Sequence, residues 1–284
     1  MENIKEKSKS AWALKGIEKL NTLIGLAQMK QTLETILTSI KADKNRSETL
    51  GENVLNFVFY GNPGTGKTTV ARIMGEILCE YGLLYSPEVI ECSRSQIVAG
   101  YLGQTAPRVR ALFERAKGKV LFFDEIYSLV NGPHDEFGKE AINEIVAIMT
   151  STEFQGQMVF VIAGYPKETK DFLAQNPEFN RIFNYHIDFE DYSDEELWNI
   201  YLLKVAHFKF RVDDNCKTKA IDWFKSRPRG ADFKNAVYAN DLLSITKNNL
   251  DKRIAKLDLD NIDDMNVLNT IISQDFPDNS QSNC

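Results

Sequence analysis

Apolar residues follow two alternating rhythms between Leu23 and Phe189. Short runs rich in β-branched and aromatic residues predict strands at Val54 to Tyr60, Pro87 to Cys92, Val120 to Phe123, Met158 to Ala163 and Tyr185 to Phe189. Between them, apolar positions recur at helical spacing. One helix is expected from Leu26 to about Lys44. A second carries Val70, Ile73, Met74, Ile77, Leu78 and Tyr81 on one face, with Gly82 as its stop. A third opens at Pro107 and runs through Ala116. A fourth spans Phe137 to Met149, with Ala141, Ile142, Ile145, Val146 and Met149 on one face. Strands alternating with helices predict an α/β fold whose parallel sheet is covered on both faces.

Beyond Phe189 the strand rhythm stops. Ser193 and Glu196 form a capping box ahead of Leu197, Trp198, Ile200, Tyr201, Leu203 and Val205. Two further helical patterns start near Thr218 and Asp232. The expected organisation is a flexible arm over 1–20, an α/β domain over 21–190, a small all-helical domain over 191–275 and a polar tail over 276–284.

Composition narrows the class. The 284 residues have an ordinary globular hydrophobic fraction and a formal net charge of −6, which argues against nucleic acid as the main partner. No run is long and apolar enough to span a membrane, and Met1-Glu2-Asn3-Ile4-Lys5 does not read as a signal peptide. Cys79, Cys92, Cys216 and Cys284 show no metal or redox spacing, and Cys79 is expected to be a buried free thiol. His134, His186 and His207 are too scattered for a metal site. These features suit a cytoplasmic protein with no membrane partner.

The chemistry lies at the strand ends. Gly61-Asn62-Pro63-Gly64-Thr65-Gly66-Lys67-Thr68 fits the P-loop pattern G-x-x-x-x-G-K-[ST], between a predicted strand and a predicted helix, as the motif requires. Its glycines free the backbone to point N–H groups at phosphate, and the helix N-terminus adds positive potential. Lys67 is expected to reach the β- and γ-phosphates of ATP, and the Thr68 hydroxyl to ligate Mg2+. Thr69 reads either as a further phosphate donor or as an ordinary first-turn residue. Val120-Leu121-Phe122-Phe123 ends in Asp124 and Glu125. Alone, two acids at a strand end equally suit a solvated loop. Downstream of a P-loop, Asp124 is expected to hold Mg2+ and Glu125 to polarise the attacking water.

From about Leu23 to Leu250 the chain resembles the AAA+ ATPases, and within them the group of the red-type Rubisco activase (CbbX-like) and stage V sporulation protein K. The resemblance rests on Leu23-Ile24-Gly25-Leu26, the P-loop, Tyr101 to Pro107, Leu121 to Glu125, Phe137 to Ile142, Ala163-Gly164-Tyr165, Asn176-Pro177 and Asp191 to Leu197. It implies a three-layer P-loop sandwich followed by a helical lid. It also implies a hexameric ring, of one chain or mixed, that spends ATP on remodelling a protein client. Ile24 and Gly25 match the segment that closes over adenine. Tyr101-Leu102-Gly103 matches the loop that grips clients in the central pore. Tyr165 stands where many relatives sense the γ-phosphate, and reads equally as a packed strand-end residue. Arg181 is the expected arginine finger, although Glu178 replaces the usual glycine and Arg181 lies one residue nearer Asn176 than the pattern has it. Val237 occupies the position of the second-sensor arginine, and reads alternatively as a core residue sharing a helix face with Phe233.

Two other functions compete with the motor. One is an ATP-binding regulatory or scaffold subunit with weak hydrolysis, suggested by Val237 and the shifted Arg181. The other is a nucleic-acid loader, which would require a basic channel; Tyr101 has no lysine run beside it.

Overall fold

The computed structural model of the chain describes residues 16–46, 54–101, 103–256 and 266–277. Most of the expected arm and tail lies outside these residues. The described residues form two compact units, one lying within 1–61 and 66–189, the other within 62–65 and 190–284.

The first unit holds a five-stranded sheet in the order β2-β3-β4-β1-β5. The strands are β1 Phe57–Gly61, β2 Val89–Cys92, β3 Val120–Phe123, β4 Val159–Gly164 and β5 Tyr185–Phe189, each within three residues of its predicted start. Every pair is parallel, with Phe57 opposite both Val161 and Tyr185. Alternation along each strand builds two cores. Phe57, Phe59, Phe122 and Val161 pack against α1 Ala27–Arg46 and α2 Lys67–Glu80. Val58, Leu121, Phe123 and Phe160 pack on the other face, against α4 Thr105–Ala116 and α5 Glu136–Met149, with the single-turn α3 Arg94–Ile97 between β2 and α4. α6 Pro166–Gln175 and the single-turn α7 Pro177–Asn180 lie between β4 and β5, and helices on both faces give the predicted α/β sandwich. Asn56, 1 % exposed, ties three segments together: its amide donates to Ile182 O and accepts from Phe160 N.

Residues 16–22 are helical, inside a stretch that reads as loose arm. The reason is packing: Leu20 is 4 % exposed and Ile17 lies against the same core. Cys79, expected to be buried, is half-buried, while Cys92 and Cys216 are buried.

In the second unit, α8 Asp194–His207, α9 Lys217–Lys225 and α10 Ala236–Ile254 surround Tyr201, Phe224, Phe233 and Leu242. The Ser193 capping box is present, with Glu196 N donating to Ser193 Oγ and Ser193 N to Glu196 Oε2. This unit is not all-helical: β6 Arg211–Val212 pairs in parallel with β7 Thr270–Ile271. Two residues per strand are too few to leave a periodic trace. Helix α10 starts at Ala236, four residues after the pattern suggests, because Asn235 has φ 49° and ψ −124° and cannot be helical.

Candidate functional site

All strands of the first unit run parallel, so their C-terminal ends share one edge, where ligands of open α/β sheets bind. The P-loop leaves β1 at this edge, Asp124 and Glu125 leave β3, and Tyr165 leaves β4. In the P-loop, Gly64 has φ 71° and Gly66 φ 98°, values that other residues adopt only under strain.

Lys67 opens α2 and is buried, its ammonium donating to Gly61 O at 2.7 Å. Burial lowers its pKa, while Asp124 and Glu125 pull it back up. The two carboxylates therefore act on the lysine across the sheet edge. Asp124 and Glu125 are exposed, and Asp124 Oδ1 accepts from Glu125 N at 3.0 Å. Glu125 has φ 51° and ψ 51°, a left-handed conformation uncommon for glutamate and of the kind found at functional sites. Thr68 is half-buried and Thr69 exposed. One hydroxyl and one carboxylate fit Mg2+, a hard cation that takes few protein ligands and completes its shell with phosphate and water.

Two aromatic residues flank the carboxylates. Tyr127 and Tyr165 have ring centroids 6.4 Å apart. Burial raises the Tyr127 pKa, and Glu125, Tyr165 and Asp124 raise it further, so its hydroxyl remains a donor at neutral pH. Sequence reading missed Tyr127, which belongs to no motif.

The loop tip Asn62–Thr65 groups with the second unit. Asn62 Nδ2 donates to both Asp191 carboxylate oxygens at 3.0 Å. Asn235 Nδ2 donates to Pro63 O at 3.2 Å and to Asp191 Oδ1 at 2.7 Å. Ala236 N donates to Gly64 O at 3.2 Å, and Tyr192 OH to Thr65 O at 3.1 Å. A Cβ at Gly64 would stand 2.4 Å from Lys234 O, so this approach needs glycine. Asn235 was not singled out from sequence. The available signal was an asparagine just ahead of a helix, one of the residue types other than glycine that most often take positive φ.

Elsewhere, Ile24 and Gly25 lead into a bend in which Gly25 has φ 66° and Leu26 φ 59°. Tyr101 is 74 % exposed, and Gly100 and Gly103 beside it have open space around them; Leu102 lies outside the described residues. Arg181 pairs with Glu178. Val237 is 36 % exposed, so it is not the core residue that a shared face with Phe233 suggested; Phe233 is buried but precedes the helix.

A family model described as ATPase family associated with various cellular activities (AAA) matches residues 57–184, and an AAA lid domain model matches 193–284. Stage V sporulation protein K of Bacillus subtilis is 35 % identical over 237 residues, 81 % of this chain and 73 % of that one. The chloroplastic ribulose bisphosphate carboxylase/oxygenase activase of Cyanidioschyzon merolae is 34 % identical over 263 residues, covering 90 % and 85 %. Among solved structures, a Thermotoga maritima RuvB mutant superposes with a TM-score of 0.56 at 18 % identity, covering 84 % of this chain and 67 % of that one, a likeness of fold.

Proposed function

The chain belongs to the AAA ATPases, in the group of stage V sporulation protein K and the CbbX-like activases, and from that premise we propose that it is a ring-forming motor that couples ATP hydrolysis to remodelling of a protein client. The observation that carries this reading is the placement of Lys67, at the end of the P-loop after β1, and of Asp124 and Glu125, after β3, at the same C-terminal edge of the parallel sheet. Phosphoryl transfer demands positioning and charge stabilisation, and this set supplies both. The backbone of Asn62 to Gly66 and the Lys67 ammonium bind and orient the phosphates, with Thr69 as a peripheral donor. Ile24 and Gly25 flank the base. Thr68 and Asp124 would hold Mg2+, which supplies charge neutralisation when bound. Glu125 orients the attacking water and takes its proton. Arg181 acts on the nucleotide of a neighbouring subunit. Tyr101, Leu102 and Gly103 grip the client, the exposed Tyr101 ring suiting contact with varied peptide.

The setting proposed is cytoplasmic; among the described residues no helix is long and apolar enough to cross a membrane. The relatives are named for different processes, sporulation in one case and activation of a carboxylase in the other, so the client class proposed is protein, without further identity. Phosphate release by Mg2+-ATP-loaded protein tests the reading. Lys67→Ala is expected to lose nucleotide binding, and Glu125→Gln to keep binding and lose turnover. Wild-type release no faster than that of Glu125→Gln would sink the ATPase reading.

A further inference from the structure

The carbonyls of the P-loop tip are all engaged. Asn62 O accepts from Thr65 Oγ1 at 2.8 Å, within the loop itself. The next three are held by residues 192–236: Pro63 O by the Asn235 amide, Gly64 O by Ala236 N, and Thr65 O by the Tyr192 hydroxyl. A trans peptide is planar, so the N–H of each following residue points away from the carbonyl before it. Fixing the carbonyls of Pro63, Gly64 and Thr65 therefore fixes the directions of the Gly64, Thr65 and Gly66 N–H groups. None of those N–H groups donates to another described residue.

We propose that Asn235 and Tyr192 are positioning residues that aim the phosphate cradle, drawing these carbonyls back so that the three N–H groups converge on the phosphates of a nucleotide. The inference rests on the nucleotide-binding reading and gives part of the cradle's geometry to residues far along the chain. The two residues are themselves locked together. Asn235 is 0 % exposed, its Oδ1 accepts from Tyr192 N at 2.8 Å, and its amide also donates to Phe233 O at 3.0 Å. Asp191 bridges the amides of Asn235 and Asn62, which fixes the rotamer of each. The positive-φ backbone of Asn235, at φ 49° and ψ −124°, directs the following Ala236 N–H onto Gly64 O. Burial raises the Tyr192 pKa to about 12, so its hydroxyl remains a donor throughout the physiological range.

The test compares ADP with adenosine, which lacks every phosphate, by calorimetric titration of the full chain and competition. Tyr192→Phe deletes one donor and is expected to weaken ADP about fivefold. Asn235→Gly keeps a residue at ease with positive φ and removes the amide, and is expected to weaken ADP about tenfold. Asn235→Asp preserves the acceptor for Tyr192 N without the donor to Pro63 O, and is expected to be no better than Asn235→Gly. Adenosine affinity should be unchanged in all three. Equal losses for ADP and adenosine would mean a general structural role and overturn the proposal, as would ADP affinities within twofold of wild type. A wild type that binds no ADP would remove the nucleotide reading and this inference with it, whereas ADP binding that is lost in Lys67→Ala and kept in the Asn235 and Tyr192 variants sinks this inference alone.

Discussion

One guanidinium nitrogen of Arg181 donates to both carboxylate oxygens of Glu178, at 2.9 and 3.1 Å. Glu178 stands where the resemblance to the AAA+ ATPases implies glycine, and the position after Arg181 holds Ile182, which is 7 % exposed. In the proposed ring, Arg181 is the cation this segment would offer a neighbouring subunit, and in the chain it is already paired with Glu178. Both side chains are more than two-thirds exposed, so the pair contributes at most about 1 kcal/mol. Glu178→Gln is expected to raise the ATPase rate of assembled protein by up to about fivefold, and Arg181→Ala to lower it about a thousandfold. Steady-state phosphate release across a range of protein concentrations checks both. An Arg181→Ala rate equal to wild type would remove the finger role.

Val237 lies in the first turn of α10 with 36 % of its surface exposed. An arginine there can keep its charge in water, so Val237→Arg is expected to leave the melting temperature within a few degrees of wild type. One new charge-assisted hydrogen bond to phosphate should favour ATP over ADP by roughly tenfold more than in wild type. Parallel ATP and ADP titrations with a thermal melt check this. A collapsed melting temperature, or an unchanged ratio, would count against Val237 as the vacated sensor position.

Asp135 is an acid-sensitive point of the first unit. It caps α5 through Gly138 N, and its other oxygen meets Arg94 at 2.7 Å. The Arg94 hydrogen bond leads the effects that hold its pKa at about 2, below the usual 3.8. A depressed carboxylate stabilises the fold fully above its unfolded pKa and loses that contribution as the pH falls through its folded one. The relevant window is therefore from about pH 4 down to pH 2. Allowing for solvent screening, about 1 kcal/mol is at stake. Urea midpoints at pH 6 and pH 3 should differ less in Asp135→Asn than in wild type, and an identical acid dependence would contradict this.

Much of this was legible because apolar alternation and burial are the same physics. The run Val120 to Phe123 is apolar because both sheet faces are covered, and it forms β3 without change. The Ser193 box is local chemistry and appears as read. What escaped reading depends on distant partners. Asn235 takes its backbone conformation from Pro63, Asp191 and Tyr192, up to 172 positions away. Leu20 joins the core only once α1 is in place, and the β6–β7 pair joins two dipeptides across most of the second unit. Val237 was misjudged because its helix starts later than periodicity alone suggests.

The strand order has a consequence for biosynthesis. β1 pairs with β4 and β5 and touches neither β2 nor β3 in the sheet. The first of its partners leaves the ribosome about a hundred residues after β1, which is roughly 5 to 20 seconds at typical elongation rates. During that interval Phe57, Val58 and Phe59, all fully buried in the finished fold, have no strand beside them. The nascent chain therefore carries its phosphate-loop strand as an exposed apolar edge for the length of a chaperone encounter. Slowing synthesis between Gly61 and Val159 should increase aggregation of this protein, whereas slowing it after Phe189 should not.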